Sequence, residues 1–478
     1  MISNEELVDK IIEDVYGHEH KLVRYVGGGG QGRVFLTADP TIAVKLLFDD
    51  NGDLLTNDNA DAEVQSERKK LNKLRLLPIP KWLNITMPKA MLKDYAGYVM
   101  DFLEDMSSFG DVINFNRYEP LKSDFLSRFD KKISDSLGRK AAFGGSRRIF
   151  EMYLKLAILL SGIHCTGLVF CDVSDNNVFA SSVDGHLNVW LIDSDNLNYE
   201  EITIESGAFF TPSYGAPEVY DPNLGEATGY SDSWAFAVSL FRNLFEQHPF
   251  YGEEYNRIWE DDSPEAADEM ASLGKLSWIM DRDDYSNQSD VSIAEFLVSD
   301  SLLDMFDRTF SSSGIENPVN RTVMPEWAHA LAKDCDVTIQ CPYCKMYGIY
   351  KNKCLWCDSK PKVLKLNSYY MKDGKKTGLF WQYVHETADK KKFDVPLRVI
   401  NNFRCREVNE KAFSVEKNGD KLIFSDFSRK YSIYLSKNGS EYLPIVGKCE
   451  INGNFFVKFI PKDIHSKLSV LIEGGVEN

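Results

Sequence analysis

The chain has no apolar run long enough to cross a bilayer: its most apolar stretch, Tyr153 to Ile163, falls well short of the roughly 20 residues a spanning helix needs. Positive charge is scarce as well. Lys and Arg total 55 against 72 Asp and Glu, a formal charge of -17, which argues against attraction to phosphate backbones or anionic lipid as the main activity. Neither nucleic acid nor membrane is therefore an expected partner, although a local basic site stays open. No apolar segment of the secretory kind follows the acidic start Met1-Ile-Ser-Asn-Glu-Glu, so a cytoplasmic location is expected. Cysteine is sparse and uneven: four of the nine lie between Cys341 and Cys357, which points to a metal site in a reducing compartment rather than a disulfide framework. No repeat of solenoid period is visible. What is there, 43% hydrophobic and 27% charged residues over 478 positions, is the balance of a globular protein with room for two to four domains.

Four zones follow a short extension, residues 1–20. From 21 to 104, β-branched and aromatic runs are broken by turns and by one helical stretch, Ala62 to Leu77, with Val64, Leu71, Leu74 and Leu77 at helical spacing. This predicts a small sheet with one helix. From 105 to 334 the period becomes helical, as in Phe150, Tyr153, Leu154, Ala157, Ile158 and Ser161 and again in Ser233 to Phe245. Within that zone the acidic stretch Glu253 to Asp290 reads as a solvated insertion. Residues 335–361 are a cysteine-rich insert. From 362 to 478 strands alternate with turns, and Asn418-Gly419, Asn438-Gly439 and Asn452-Gly453 are hairpin signals, so an antiparallel β domain is expected.

Gly27, Gly29 and Gly32 stand in G-x-G-x-x-G spacing with Val34 two residues on, where a backbone without Cβ atoms can fold closely over phosphates. Alone, the same pattern is more often just a tight hairpin. Ile42-Ala-Val-Lys45 then reads as a strand that sets a cation beside the α and β phosphates, and Glu67 on the helical stretch can pair with it. Glu63 is its rival one turn earlier. In the insert, Cys341-Pro-Tyr-Cys344 and Cys354-Leu-Trp-Cys357 form C-x2-C-x9-C-x2-C, two knuckles that can offer four thiolates to a structural Zn²⁺ with no open position. Cys165, Cys171, Cys335, Cys405 and Cys449 have no paired spacing and read as ordinary thiols.

Further on, Phe170-Cys171-Asp172 with Asn177 in register resembles the catalytic loop H-R-D-x-x-x-x-N of the protein-kinase family. Trp190-Leu-Ile-Asp-Ser-Asp195 resembles its D-F-G segment, with Asp193 as the metal acid. Ala216-Pro217-Glu218 resembles A-P-E, Tyr230 to Val238 the buried helix that follows with Asp232 as its capping acid, and Arg321 the usual partner of Glu218. The resemblance implies an α+β, bilobal protein-kinase fold, with an N-lobe at 21–104 and a C-lobe at 105–334. A four-Cys zinc ribbon and an all-β, sandwich-like C-terminal domain would follow. It is closest in kind to bacterial eukaryotic-like Ser/Thr kinases. It also implies ATP and Mg²⁺ (or Mn²⁺) as cofactors, with Asn177 and Asp193 on the metal, Asp172 as base, and Lys45 and Glu67 as the phosphate-positioning pair. Gly27, Gly29 and Gly32 would cover the phosphates, Val34, Ala43 and Phe179 would hold the adenine, and the backbone at Asp101 and Leu103 would read its edge.

The departures from the family pattern carry consequences of their own. Cys171 replaces the Arg that clamps a phosphorylated activation loop, so control by loop phosphorylation is not expected. Ser174 replaces a Lys that touches the γ-phosphate, which removes one cation. Ser194 and Asp195 replace the Phe and Gly of D-F-G, and Asp195 is then a third acid near the metal. A Ser/Thr protein kinase is the expectation, with Thr211 in bonding reach of Asp172. A pseudokinase scaffold that binds nucleotide or a partner without catalysis is the alternative, and a small-molecule kinase fits less well. The substrate protein is not legible, and a partner protein is expected at the zinc ribbon or the β domain.

Overall fold

The computed structural model describes residues 2–29, 32–49, 51–57, 62–77, 79–183, 186–199, 210–224, 226–291, 293–387, 391–404, 407–463 and 469–477. They form two compact units. The first comprises residues 1–112, 159–239 and 272–274, and the second residues 113–158, 240–271 and 275–478. The chain is mixed α/β with several separate sheets. Among the described residues no helix is long and apolar enough to cross a membrane.

The first unit begins with helix α1 (Asn4–Leu7), held by a capping box in which Ser3 and Glu6 satisfy each other's backbone N–H groups. Six antiparallel strands follow as one sheet in the order β1-β2-β3-β4-β6-β5. They are β1 (Ile11–Glu13), β2 (Glu19–Gly29), β3 (Gly32–Thr37), β4 (Ile42–Leu46), β5 (Ala90–Met91) and β6 (Gly97–Asp101), with helix α2 (Ala62–Leu74) between β4 and β5. Leu7 and Ile12 are buried with Leu22, Phe35, Val44 and Leu46 in the core of this sheet. The first twenty residues are thus no extension but an edge strand and a capped turn of helix, tied in by burial that their short apolar pattern did not announce. The same unit holds two smaller sheets: the pair Leu168–Val169 with Asn198–Tyr199, and a three-stranded sheet of His186–Leu191, Val178–Val183 and Ser107–Ser108.

In the second unit the acidic stretch is folded rather than solvated. Helices Glu253–Asp261 and Pro264–Ser272 bury Tyr255 and Ala267, and Trp278 and Ile279 are buried beyond them. Asn287, fully buried, knits the stretch together: its side chain accepts from Tyr255 N (3.0 Å) and donates to the carbonyls of Phe250 (2.9 Å) and Ser277 (2.7 Å). Acidic residues line the outside and a few aromatics supply the inside, a pattern in which charge count hides the buried face.

Residues 363–477 form two antiparallel sheets. One has six strands: Lys375–Glu386, Val363–Lys372, Ser469–Glu477, Phe455–Pro461, Tyr431–Ser436 and Leu443–Pro444. The other has four: Lys392–Pro396, Lys411–Asn418, Lys421–Ser425 and Cys449–Ile451. Rings from both sheets meet as Phe413–Phe459 and Phe424–Phe455, with centroids 5.8 and 5.1 Å apart, so two apolar faces close on one core. The three Asn-Gly pairs behave differently. Asn418-Gly419 closes a tight hairpin, Asn438-Gly439 sits in a longer one, and Asn452-Gly453 carries the chain from the four-stranded sheet to the six-stranded one. A further tight hairpin is at Asp373-Gly374, where both residues have positive φ, as a type I′ turn requires.

Candidate functional site

Within the first unit, β4 carries Lys45 inward, in register with Val34 on β3 and Tyr98 on β6. Its ammonium donates to Asp193 Oδ1 at 2.7 Å and to Asp195 Oδ2 at 2.5 Å. Asp195 Oδ1 takes the Tyr98 hydroxyl at 2.6 Å, and the Asp195 main-chain carbonyl takes Lys70 Nζ from α2 at 2.5 Å. Burial and the neighbouring Asp195 charge push the Asp193 carboxyl up to about 6, against the pull of Lys45. Asp195 goes the other way. Its burial would raise it, but the Lys45 charge and the Lys45 and Tyr98 hydrogen bonds hold it below the ordinary carboxylate value. Lys45, despite burial, is held above the usual lysine value by Asp195 and Asp193.

Asp172 follows Cys171, whose φ of 68° bends the chain back. Its Oδ1 accepts from Thr211 N (2.8 Å) and Thr211 Oγ1 (2.7 Å), and its Oδ2 from Asn177 Nδ2 (2.6 Å). Asn177 in turn accepts Ile192 N on its main-chain carbonyl at 2.9 Å, which fixes the residue just before Asp193. The loop is anchored from below by Asp232. Its carboxylate accepts from Phe170 N and Cys171 N, both 2.8 Å, and lies 2.9 Å from His164 Nε2, so its side chain serves the loop rather than capping a helix. Ser174 Oγ is buried without a hydrogen-bond partner among the described residues. The half-buried Cys171 thiol is pushed up, chiefly by its burial, which disfavours its thiolate.

Lys45, Asp172, Asn177 and Asp193 thus share one unit. So do Val34, the fully buried Ala43, Phe179, Asp101 and Leu103. Asp101 ends β6 opposite Ile42 and pairs with Lys89; Phe179 lies opposite Trp190 and Ser108. Gly27, Gly29 and Gly32 sit on the β2–β3 hairpin, whose tip, residues 30–31, lies outside the described residues. The tightest backbone approaches are at Gly32 and at Gly28, which the motif does not single out: a Cβ would lie 2.6 Å from Leu46 O and 2.7 Å from Gly32 O. Glu67 and Glu63 lie on α2, with side chains outside those described. Among the described residues, Asp193 and Asp195 are acids on Lys45. Glu218 accepts from Ser231 Oγ at 2.7 Å, and Arg321, buried in the second unit, donates from Nε to Gly314 O at 2.8 Å. Asp193 and Asn177 provide hard oxygen donors of the kind Mg²⁺ takes. The chemistry of this donor set fits that ion.

The second candidate site is the four-cysteine cluster, whose sulfurs all lie within 4.8 Å of one another. Cys341 and Cys357 Sγ are 3.8 Å apart and Cys344 and Cys354 Sγ 3.6 Å. Four sulfurs at about 2.3 Å from one ion have tetrahedral edges of about 3.8 Å, close to these two separations, so the cluster could hold a metal ion. Both halves are built alike. Lys345 N and Asp358 N bond back to the carbonyls of Cys341 and Cys354, each at 2.9 Å, and Lys345 and Asp358 both have positive φ. Ser359 Oγ lies 3.3 Å from Cys341 Sγ and 3.1 Å from Cys357 Sγ, placed to donate to a thiolate. Leu126, Ala141 and Met346 bury the cluster. Cys335 is buried and Cys165 exposed, and Cys405 lies outside the described residues.

Comparison with known proteins gives matches to protein kinases. The chain is 29% identical over 125 residues to protein kinase C of Aspergillus fumigatus, covering 26% of this chain and 11% of that protein. It is 28% identical over 125 residues to a protein kinase C-like protein of Hypocrea jecorina, covering 26% and 10%. Over 111 residues it is 27% identical to the serine/threonine-protein kinase RUNKEL of Arabidopsis thaliana, covering 23% and 8%. The matches span about a tenth of these relatives' length. No family model matches the chain. The chain contains a region distantly related to Ser/Thr protein kinases.

Proposed function

We propose that the chain is an ATP-dependent protein kinase that transfers the γ-phosphoryl group to Ser or Thr hydroxyls, with Asp172 as the base. The observation that carries this reading is that Asp172 accepts a hydroxyl, that of Thr211 Oγ1, at 2.7 Å while Asn177 holds its other oxygen. A substrate hydroxyl at the same carboxylate would be oriented in line with the γ-phosphorus. Its oxygen bonds to phosphorus as the bond to the ADP oxygen breaks, and its proton passes to Asp172. Lys45 supplies positive charge at the α and β phosphates. Asp193 and Asn177 would hold Mg²⁺, which when bound neutralises phosphate charge. Val34, Ala43 and Phe179 would enclose the adenine, and the backbone at Asp101 and Leu103 would read its edge.

On this reading residues 21–334 are a bilobal kinase. The four cysteines bind Zn²⁺ as a closed structural site, and the ribbon and the β-rich region 362–478 offer surfaces to a partner protein. A second reading, a nucleotide-binding scaffold without turnover, draws support from Ser174: a buried hydroxyl stands where related kinases have a cation. Incubation with ATP and Mg²⁺ followed by mass spectrometry separates the two. Transfer to Ser or Thr is expected, and Asp172→Asn lowers it about a thousandfold while nucleotide binding persists. Equal activity in variant and wild type would refute the role of Asp172.

A further inference from the structure

The segment ending the strand His186–Leu191 offers two acids two residues apart, and their surroundings differ. Asp193 is partly exposed, with 31% of its side chain accessible, and shares one oxygen with Lys45. Asp195 is buried, at 6%, and both its oxygens are taken, one by Lys45 on β4 and one by Tyr98 on β6. Lys45 and Tyr98 are themselves cross-strand partners, so the sheet presents an ammonium and a hydroxyl side by side to one carboxylate. Lys70 of α2 holds the Asp195 carbonyl from a third direction.

A buried carboxylate is tolerable only with a compensating charge, and Lys45 is that charge. When Asp193 turns to a metal, Asp195 remains on the ammonium. We infer that Asp195 is a positioning residue: it holds Lys45 in place for the nucleotide phosphates, and Tyr98 orients it. This rests on the phosphotransfer reading above, and it makes the lysine's placement a property of the sheet and the metal loop.

The test is a double-mutant cycle between Asp195→Asn and Lys45→Met on the full-length protein, read by calorimetric affinity for Mg-ATP and, separately, by kcat and KM. Asp195→Asn is expected to weaken Mg-ATP binding about tenfold and to lower kcat about a hundredfold. In the Lys45→Met background the same change should cost less than about twofold, because a residue that acts through the lysine has nothing left to act on. Tyr98→Phe, which keeps the ring, should show a smaller loss of about three- to tenfold with the same non-additivity, and it carries the cycle if Asp195→Asn does not fold. Losses that multiply would make Asp195 a metal ligand or a purely structural residue and overturn the inference. A wild type that neither binds Mg-ATP nor transfers phosphate overturns the phosphotransfer reading itself, and the inference falls with it.

Discussion

Asp336 is fully buried and accepts three hydrogen bonds: two from the Arg398 guanidinium, at 2.6 and 2.7 Å, and one from Trp381 Nε1 at 2.9 Å. The three residues lie on the helix Met324–Val337, the short helix Arg398–Asn401 and the strand Lys375–Glu386, so one carboxylate ties the last long helix to the β-rich region. Arg398→Ala leaves that carboxylate buried with one neutral donor. Breaking such a pair costs about 3–5 kcal/mol, and because the Arg398 side chain is 11% accessible, water can enter and hold the loss near the lower figure. At a urea slope of about 2–3 kcal/mol per molar, the midpoint of the transition carrying the second unit should fall by about 1–1.5 M. Two units can give two transitions, so the affected one is assigned by mass spectrometry of protease fragments along the urea series. The double variant Asp336→Leu, Arg398→Met removes both charges, orphans only the Trp381 N–H, and should recover about half the loss. A midpoint shift under about 0.3 M for Arg398→Ala, or a double variant weaker than the single, would refute the charge argument.

Asp334, on the same helix, is pushed up to about 6 by burial, opposed by its bond from Ser299 N. Because its folded value lies above its unfolded one, its contribution is fully present below about pH 4 and is lost as pH rises to about 6; Asp334→Asn should therefore stabilise the protein at pH 7 by about 1–3 kcal/mol and have no such advantage near pH 4, as urea titrations at both values would show. Cys354→Ser with Cys357→Ser should release one bound zinc per chain by elemental analysis and open the ribbon to proteolysis while Mg-ATP binding survives; retention of zinc would contradict a four-sulfur site. With Cys171 where related kinases carry Arg, phosphatase treatment should change kinase activity by less than about twofold, and a large loss would reveal another cation serving a loop phosphate.

The sheet of the first unit, the helices Gly145–His164 and Gly229–Phe245, and the two-sheet C-terminal region are legible because each carries a clean hydrophobic period. Asp172, Asn177 and Asp193 come together for another reason: Asp172 and Asn177 are five positions apart on one loop, and the paired strands Val178–Val183 and His186–Leu191 return the chain to Asp193. The partners of Lys45 are not legible in this way. Asp195 lies 150 positions away, and its burial depends on Tyr98, which in sequence is one more aromatic in an alternating strand. Asn287 is hidden likewise: in the acidic stretch its polarity suggests solvent, while in the fold it is fully buried. Long-range polar contacts leave no periodic trace, and the acid on a lysine can be assigned only once the strands are in register.

The departures at 171, 174 and 195 bear on one another. In the proposed kinase, Cys171 and Ser174 remove two cations from the loop around Asp172, while Asp195 adds a negative charge one strand away. The loss of positive charge at the phosphates would be severe if it stood alone. What offsets it is the burial of Asp195 against Lys45 and Tyr98: its charge is spent on a fixed ammonium and a hydroxyl, and its carbonyl on Lys70, so little of it reaches the phosphates. The site then works with one tightly held cation in place of several loosely recruited ones. That trade removes the loop-phosphate clamp as a point of control. It shifts any regulation toward whatever alters the sheet beneath Lys45 or α2 through Lys70.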